Sequence, residues 1–232
     1  MKYGGSGMVN FENSVKPLVK EKLPDAVYNQ VCRLLLEGGI APGQTVKIAA
    51  LADAFQVSHM PIREAISRLT AKGALTIISG RSVGVPKMTM DRLIELRNVR
   101  CEVEAVAVRW AVKNASDQDI SDLSPMMQAL IDAEKNGDTL AYLVANLNFH
   151  FAVYSLAHSP LMMDIIENLW LQVSPTFHHL KESGNFEISN RLHQDLLDAL
   201  ARRDESAAVT ALTQDIDRAF ETMKSEIEKE IS

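Results

Sequence analysis

The sequence predicts a mainly α chain: an N-terminal winged helix-turn-helix followed by an all-helical antiparallel bundle. Three observations carry this. Two helical patterns lie only Gln56-Val57 apart, the tight spacing of a helix-turn-helix. Directly behind them, the β-branched runs Leu75-Thr76-Ile77-Ile78 and Ser82-Val83-Gly84-Val85 flank Ser79-Gly80-Arg81, which reads as a β-hairpin and supplies the wing. From Thr89 the hydrophobic period is helical nearly to the C-terminus, interrupted only by turn residues.

Taken in order, residues 1–20 form a tail in which Gly4-Gly5-Ser6-Gly7 has flexible-linker composition, native or an expression scar, and no function is assigned to it. The winged helix-turn-helix is placed at residues 21–88. Its first helix starts near Leu23, with Pro24 in the first turn, a stripe of Val27, Val31 and Leu34 or Leu35, and a stop at Gly38-Gly39. Pro42-Gly43 makes a turn, and a short second helix carries Leu51, Ala52, Ala54 and Phe55.

The third helix organises the domain. Ser58 is its N-cap, Pro61 falls within the first turn, and Gly73 closes it. Ile62, Ala65, Ile66 and Leu69 recur at spacings of three and four and turn inward, which leaves His59, Arg63, Ser67 and Lys72 on the other faces. A capped helix with such a polar outer face has the form that lies in a DNA groove. Pro86 then ends the wing.

The second part, residues 89–232, breaks at 113–117, Asn136-Gly137-Asp138, His158-Ser159-Pro160, Ser183-Gly184-Asn185 and Arg203-Asp204. These breaks divide it into about six helices with no strand. Thr89 and Ser116 are its clearest N-caps, the latter with Asp119 three residues on.

Composition bounds the function. A chain of 232 residues that is 47% hydrophobic can bury a core in one large or two modest domains. No apolar run approaches the ~18 residues of a membrane span, and the N-terminus lacks the apolar stretch of a signal peptide. A soluble cytoplasmic protein with no membrane partner is expected. Cys32 and Cys101 sit in helical patterns without metal-type spacing and read as free thiols. The net charge of −6 conceals an asymmetry: residues 1–88 carry 11 Lys+Arg against 6 Asp+Glu, and residues 89–232 carry 13 against 24. A basic segment joined to an acidic one fits a nucleic-acid binder tethered to a second function.

The order of elements, the segment Val57-Ser58-His59-Met60-Pro61-Ile62-Arg63-Glu64-Ala65 and the preceding Ile40-Ala41-Pro42-Gly43 turn resemble the GntR family of bacterial transcription regulators. With a helical domain behind it, the chain is similar to the FadR-type branch with an FCD effector domain. The resemblance implies DNA contacts from Ser58, His59, Met60, Arg63 and Ser67 of the third helix and from Gly80 and Arg81 at the wing tip. An arginine at position 63 can fork onto guanine or hold a phosphate, or make a surface salt bridge instead. The wing tip suits a groove or phosphate contact, or is simply a solvated turn. In the family the His59 and Met60 positions are usually Arg and Thr, and a second-helix arginine is replaced here by Ala49, so the operator is expected to be distinct.

The FCD branch often holds a metal through an Asp-x-x-x-His, His, His set. The corresponding residues are Asn146, His150, His193 and Asp215. Two imidazoles, a carboxylate and an amide oxygen could take a divalent Zn, Ni, Mn or Fe ion; the alternative is a pair of buried, hydrogen-bonded histidines. Arg100 and Glu104 match the family's Arg-x-x-x-Glu, which makes Arg100 the expected effector-binding residue, forking onto a carboxylate. Arg97 reads as an i, i+4 ion pair. His178-His179, Met126-Met127 and Met162-Met163 line a pocket or are loop and core residues.

The expectation is a homodimeric, effector-responsive transcription regulator that binds a double-stranded DNA operator and a small carboxylate-bearing metabolite. Repression is the commoner outcome in the family. Two alternatives remain. One is a metal-dependent enzyme using a two-His-one-carboxylate site, against which no general base or nucleophile accompanies the set. The other is an architectural DNA binder indifferent to small molecules.

Overall fold

The computed structural model describes residues 23–179 and 186–231. The tail at 1–20, the break at Ser183-Gly184-Asn185 and the His178 side chain lie outside the described residues. The N-terminal part runs α1 (Leu23–Leu36), β1 (Thr45–Lys47), α2 (Ile48–Phe55), α3 (His59–Ala71), β2 (Thr76–Ser79) and β3 (Ser82–Gly84). The remainder is α4 (Met90–Asn114), α5 (Asp117–Lys135), α6 (Thr139–Ser155), α7 (Pro160–Val173), a 3₁₀ turn at Ser174–His179, α8 (Glu187–Ala201) and α9 (Glu205–Ile231).

The inward stripe of α3 is as the spacing requires: Ile62, Ala65, Ile66 and Leu69 are buried against Val27, Val31 and Leu35 of α1. Ser58 is the N-cap by backbone geometry, but its side chain makes no capping hydrogen bond. At the other end Gly73 adopts φ +72°, which lets the Ala74 amide reach the Leu69 carbonyl at 3.0 Å. A side chain would be strained in this left-handed position. Arg68 pairs with Asp25 at 2.8 Å and lies 3.7 Å over the Tyr28 ring, fastening α3 to α1.

The wing is a three-stranded antiparallel sheet, not a two-stranded hairpin. Its order is β1-β3-β2, with Val46 opposite Val83 and Ile77 also opposite Val83. β1 escapes sequence reading because three residues are too few to show alternation; pairing with β3, far along the chain, makes it a strand.

In the bundle, caps set the helix starts. Thr89 accepts from the Arg92 amide, and Ser116 and Asp119 form a reciprocal capping box. α4 packs on α9 and α7, α5 lies against α6 and α8, and α9 packs on α8. Met127 belongs to this core, with Met126, Met162 and Met163 packed at its edge. Cys32 and Cys101 are free. Among the described residues no helix is long and apolar enough to cross a membrane.

Candidate functional site

Two sites emerge, one on each part of the chain. On the first, the N-terminus of α3, the β1-α2 junction and the wing border a groove of about 690 Å³ lined by Thr45, Lys47, Ile48, Ala49, His59, Arg63, Arg81 and Ser82. Arg63 Nη2 donates to the Gly80 carbonyl at 3.2 Å, so the wing tip orients the guanidinium across the groove. His59, Arg63 and Arg81 are thus brought together with Lys47, a basic residue that sequence reading passed over. Ala49 lines the wall, leaving it without the arginine of the family pattern. Ser58 and Ser67 are exposed on α3, and Met60 is 74% exposed beside the groove.

Lys47, Arg63 and Arg81 make this a cationic concavity at a helix N-terminus, the form that admits a phosphate backbone and base edges. Arg63→Ala should weaken operator binding by roughly 1–3 kcal/mol and relax discrimination at one base position. Fluorescence anisotropy on operator variants measures both, and unchanged affinity with unchanged base preference would remove Arg63 from the contact set.

In the second part, three helices bring three ligand atoms to one point. His150 Nε2 on α6 lies 3.1 Å from His193 Nε2 on α8, and Asp215 Oδ2 on α9 lies 3.2 Å and 3.3 Å from them. All three residues are buried. A tetrahedral ion with bonds of about 2.0–2.1 Å has ligand-ligand edges of about 3.3 Å, so the triangle fits a small divalent ion. Asn146, one helical turn before His150, lines the cavity of about 40 Å³ beside it.

The hydrogen bonds settle the His150 tautomer. Tyr154 Oη donates its only proton to Glu104 Oε2 at 2.5 Å, so it must accept from His150 Nδ1–H at 3.2 Å. His150 Nε2 therefore presents a lone pair to the triangle, held as metal-ligating histidines are held through their second nitrogen. Burial lowers the His150 pKa and keeps the ring neutral. Burial opposes ionisation of Asp215, yet the imidazoles of His193 and His150 hold its carboxyl far below the usual range. His193 Nδ1 is buried without a partner among the described residues.

Behind the triangle lies a buried ion pair. Arg100, 3% exposed, forks onto fully buried Glu104 at 2.6 Å and 3.3 Å, and stands 4.8 Å from the Trp170 ring. Trp170 Nε1 donates to Glu104 Oε1 at 3.1 Å. Arg100 borders the cavity, but its guanidinium is already engaged. Arg97 does not make an i, i+4 pair: it reaches across to Asp217 on α9.

Trp170 sits on α7, and the next residue faces the other way. Leu171 is fully buried in the core of the winged domain. Glu167 pairs with Lys72 at 3.2 Å, and Gln172 accepts from Arg92 and lies against Gly73. α7 thus touches Glu104, a neighbour of the His150-His193-Asp215 cluster, on one side and the C-terminal end of α3 on the other. Sequence reading missed Tyr154, Trp170 and Leu171 here; the one available signal for the last two was that α7 is apolar on more than one face.

Residues 23–85 match the bacterial regulatory proteins of the gntR family, and residues 95–218 match the FCD domain. The HTH-type transcriptional regulator McbR of Escherichia coli strain K12 is 31% identical over 159 residues, covering 68% of this chain and 72% of McbR. The HTH-type transcriptional repressor RspR of the same strain is 26% identical, covering 85% of this chain and 87% of RspR. The solved structure of E. coli McbR/YncC superposes with a TM-score of 0.85 at 27% identity, covering 89% of this chain and 99% of that one. These relatives are transcription regulators, not enzymes.

Proposed function

We propose, from the premise that the chain belongs to the GntR family of bacterial regulatory proteins and carries an FCD domain, that it is a metal-dependent transcriptional repressor responsive to a small carboxylate. DNA-binding regulation follows from the family; the metal, the effector, repression and the homodimer are the reading added here. A homodimer sets two recognition helices on a pseudo-palindromic operator. RspR, named a repressor, supports the sign of regulation.

The observation that carries the reading is the triangle of His150 Nε2, His193 Nε2 and Asp215 Oδ2, with edges of 3.1–3.3 Å. His150, His193 and Asp215 would hold a Zn, Ni, Mn or Fe ion, with Asn146, which lines the adjoining cavity one helical turn before His150, as the candidate fourth ligand. The ion would supply positive charge and open coordination positions for an anionic effector. The chain's own residues do the rest. Tyr154 and Glu104 orient His150, and Trp170 ties that network to α7, whose far side bears the winged domain.

Ligand changes operator affinity only if it favours one placement of the winged domains over another. Metal restored to chelator-stripped protein should change operator affinity by about 5–150-fold, the ordinary span of allosteric coupling. His150→Ala should abolish that response while leaving metal-free DNA binding unchanged. Equal responses in both proteins would refute the reading.

A further inference from the structure

We propose that Ser79 and Ser82 are positioning residues for operator reading: their hydroxyls set the wing tip so that its Gly80 carbonyl holds Arg63 in the orientation that reads a base. The inference rests on Arg63 as the base-reading side chain and is independent of the metal.

Arg63 is exposed on α3, and its guanidinium donates to the Gly80 carbonyl at 3.2 Å, 17 residues further along the chain. The nature of the acceptor matters. A carboxylate neutralises the fork, as Glu104 does to Arg100, whereas a carbonyl engages a single N–H and leaves the charge intact. The remaining donors stay free for a guanine edge. A side chain already held in its binding orientation also loses less freedom when the complex forms.

The tip that offers this carbonyl is tied to the helix-turn-helix a second time. The Arg81 carbonyl accepts at 3.0 Å from the amide of Ile48, the first residue of α2, whose N-cap Lys47 supplies no side-chain capping bond. Adjacent carbonyls of one turn thereby grip Arg63 of α3 and the start of α2.

Serine hydroxyls give the turn its shape. A register shift between Ile77 and Ser79 brings Ser79 opposite Ser82, as a bulge re-aims the residues beside it. The two hydroxyls lie 2.8 Å apart, and Ser79 Oγ accepts from the Arg81 amide at 3.3 Å. Other restraints on the tip are weak. Neither Gly80 nor Arg81 has the positive φ that fixes the common two-residue hairpin turns, and the space where a Gly80 side chain would stand is open. The hydroxyls therefore decide where the Gly80 carbonyl points.

The test uses the full-length chain in one metal state, with duplexes carrying the operator it selects from a random pool and each single base-pair variant of that operator. Anisotropy across a salt series is read on the wild type, Ser79→Ala/Ser82→Ala, Ser79→Thr/Ser82→Thr, Arg63→Ala, and Arg63→Ala combined with the alanine pair. The alanine pair should reduce discrimination by roughly threefold or more at the position Arg63 reads. Other positions and the salt slope should be unchanged, since no phosphate contact is lost. The threonine pair should restore discrimination, and the alanine pair should add nothing once Arg63 is alanine. An alanine pair with wild-type discrimination, or a threonine pair no better than the alanine pair, overturns the positioning role. So do effects that add in the Arg63→Ala background, a loss spread evenly over all positions, or a flatter salt slope, the last two marking a direct wing contact with the DNA backbone. An Arg63→Ala protein that keeps every base preference overturns the Arg63 reading itself, and this inference with it.

Discussion

Arg100→Met is expected to destabilise the protein by about 3–5 kcal/mol, because it strands the Glu104 carboxylate in the core. Glu104 is fully buried, and its remaining partners would be the Tyr154 hydroxyl and the Trp170 indole, two neutral donors. They stabilise a carboxylate without neutralising it, so the charge would remain uncompensated. The double substitution Arg100→Met/Glu104→Gln removes the charge and keeps an acceptor for one of the two donors, so part of the loss should be recovered. Urea unfolding of the wild type, both single variants and the double gives the coupling energy directly. A single-variant loss below about 1 kcal/mol would show that the pair contributes no more than a surface salt bridge.

Leu171→Ala is expected to cost about 2–5 kcal/mol through the cavity it leaves and to loosen the packing between the two parts of the chain. The side chain is supplied by a bundle helix yet is fully buried among the residues of the winged domain's core. Its neighbour Glu167 reaches the winged domain through an ion pair with Lys72, which water can replace. Trp170 stays with Glu104 in the variant, so metal content should be unchanged while the metal-induced change in operator affinity falls below about twofold, the coupling having lost its packed link. Calorimetry and anisotropy on one preparation read both quantities. A full response in Leu171→Ala would mean that the signal bypasses α7.

Much of this architecture was legible because local chemistry and fold agree. The stripe of Ile62, Ala65, Ile66 and Leu69 is buried as its period demands, and the caps at Thr89 and Ser116 mark helix starts with hydrogen bonds a few residues long. Among the described residues, helix boundaries in the bundle fall at the turn residues Asn136-Gly137-Asp138, His158-Ser159-Pro160 and Arg203-Asp204. β1 and the 3₁₀ turn at Ser174–His179 were not legible, since each is short and is held by distant partners.

The sites divide the same way. Arg63 stands out from the single helix that carries it, whereas His150, His193 and Asp215 come from three helices far apart in sequence, and no local spacing joins them. Only the family pattern placed them together. Arg100 shows the limit of that pattern. It marks which arginine recurs, but the buried carboxylate that engages Arg100 is visible only in three dimensions. Leu171 is the same case for packing: an apolar residue on an apolar helix does not reveal which of two cores it enters.

Elemental analysis of the purified chain bears most directly on the central claim. One divalent transition-metal ion per chain is predicted for the wild type and none for His150→Ala, with the variant otherwise folded by circular dichroism. A wild type that carries no such ion after exposure to Zn, Ni, Mn and Fe salts, or a His150→Ala protein that retains one, would contradict it.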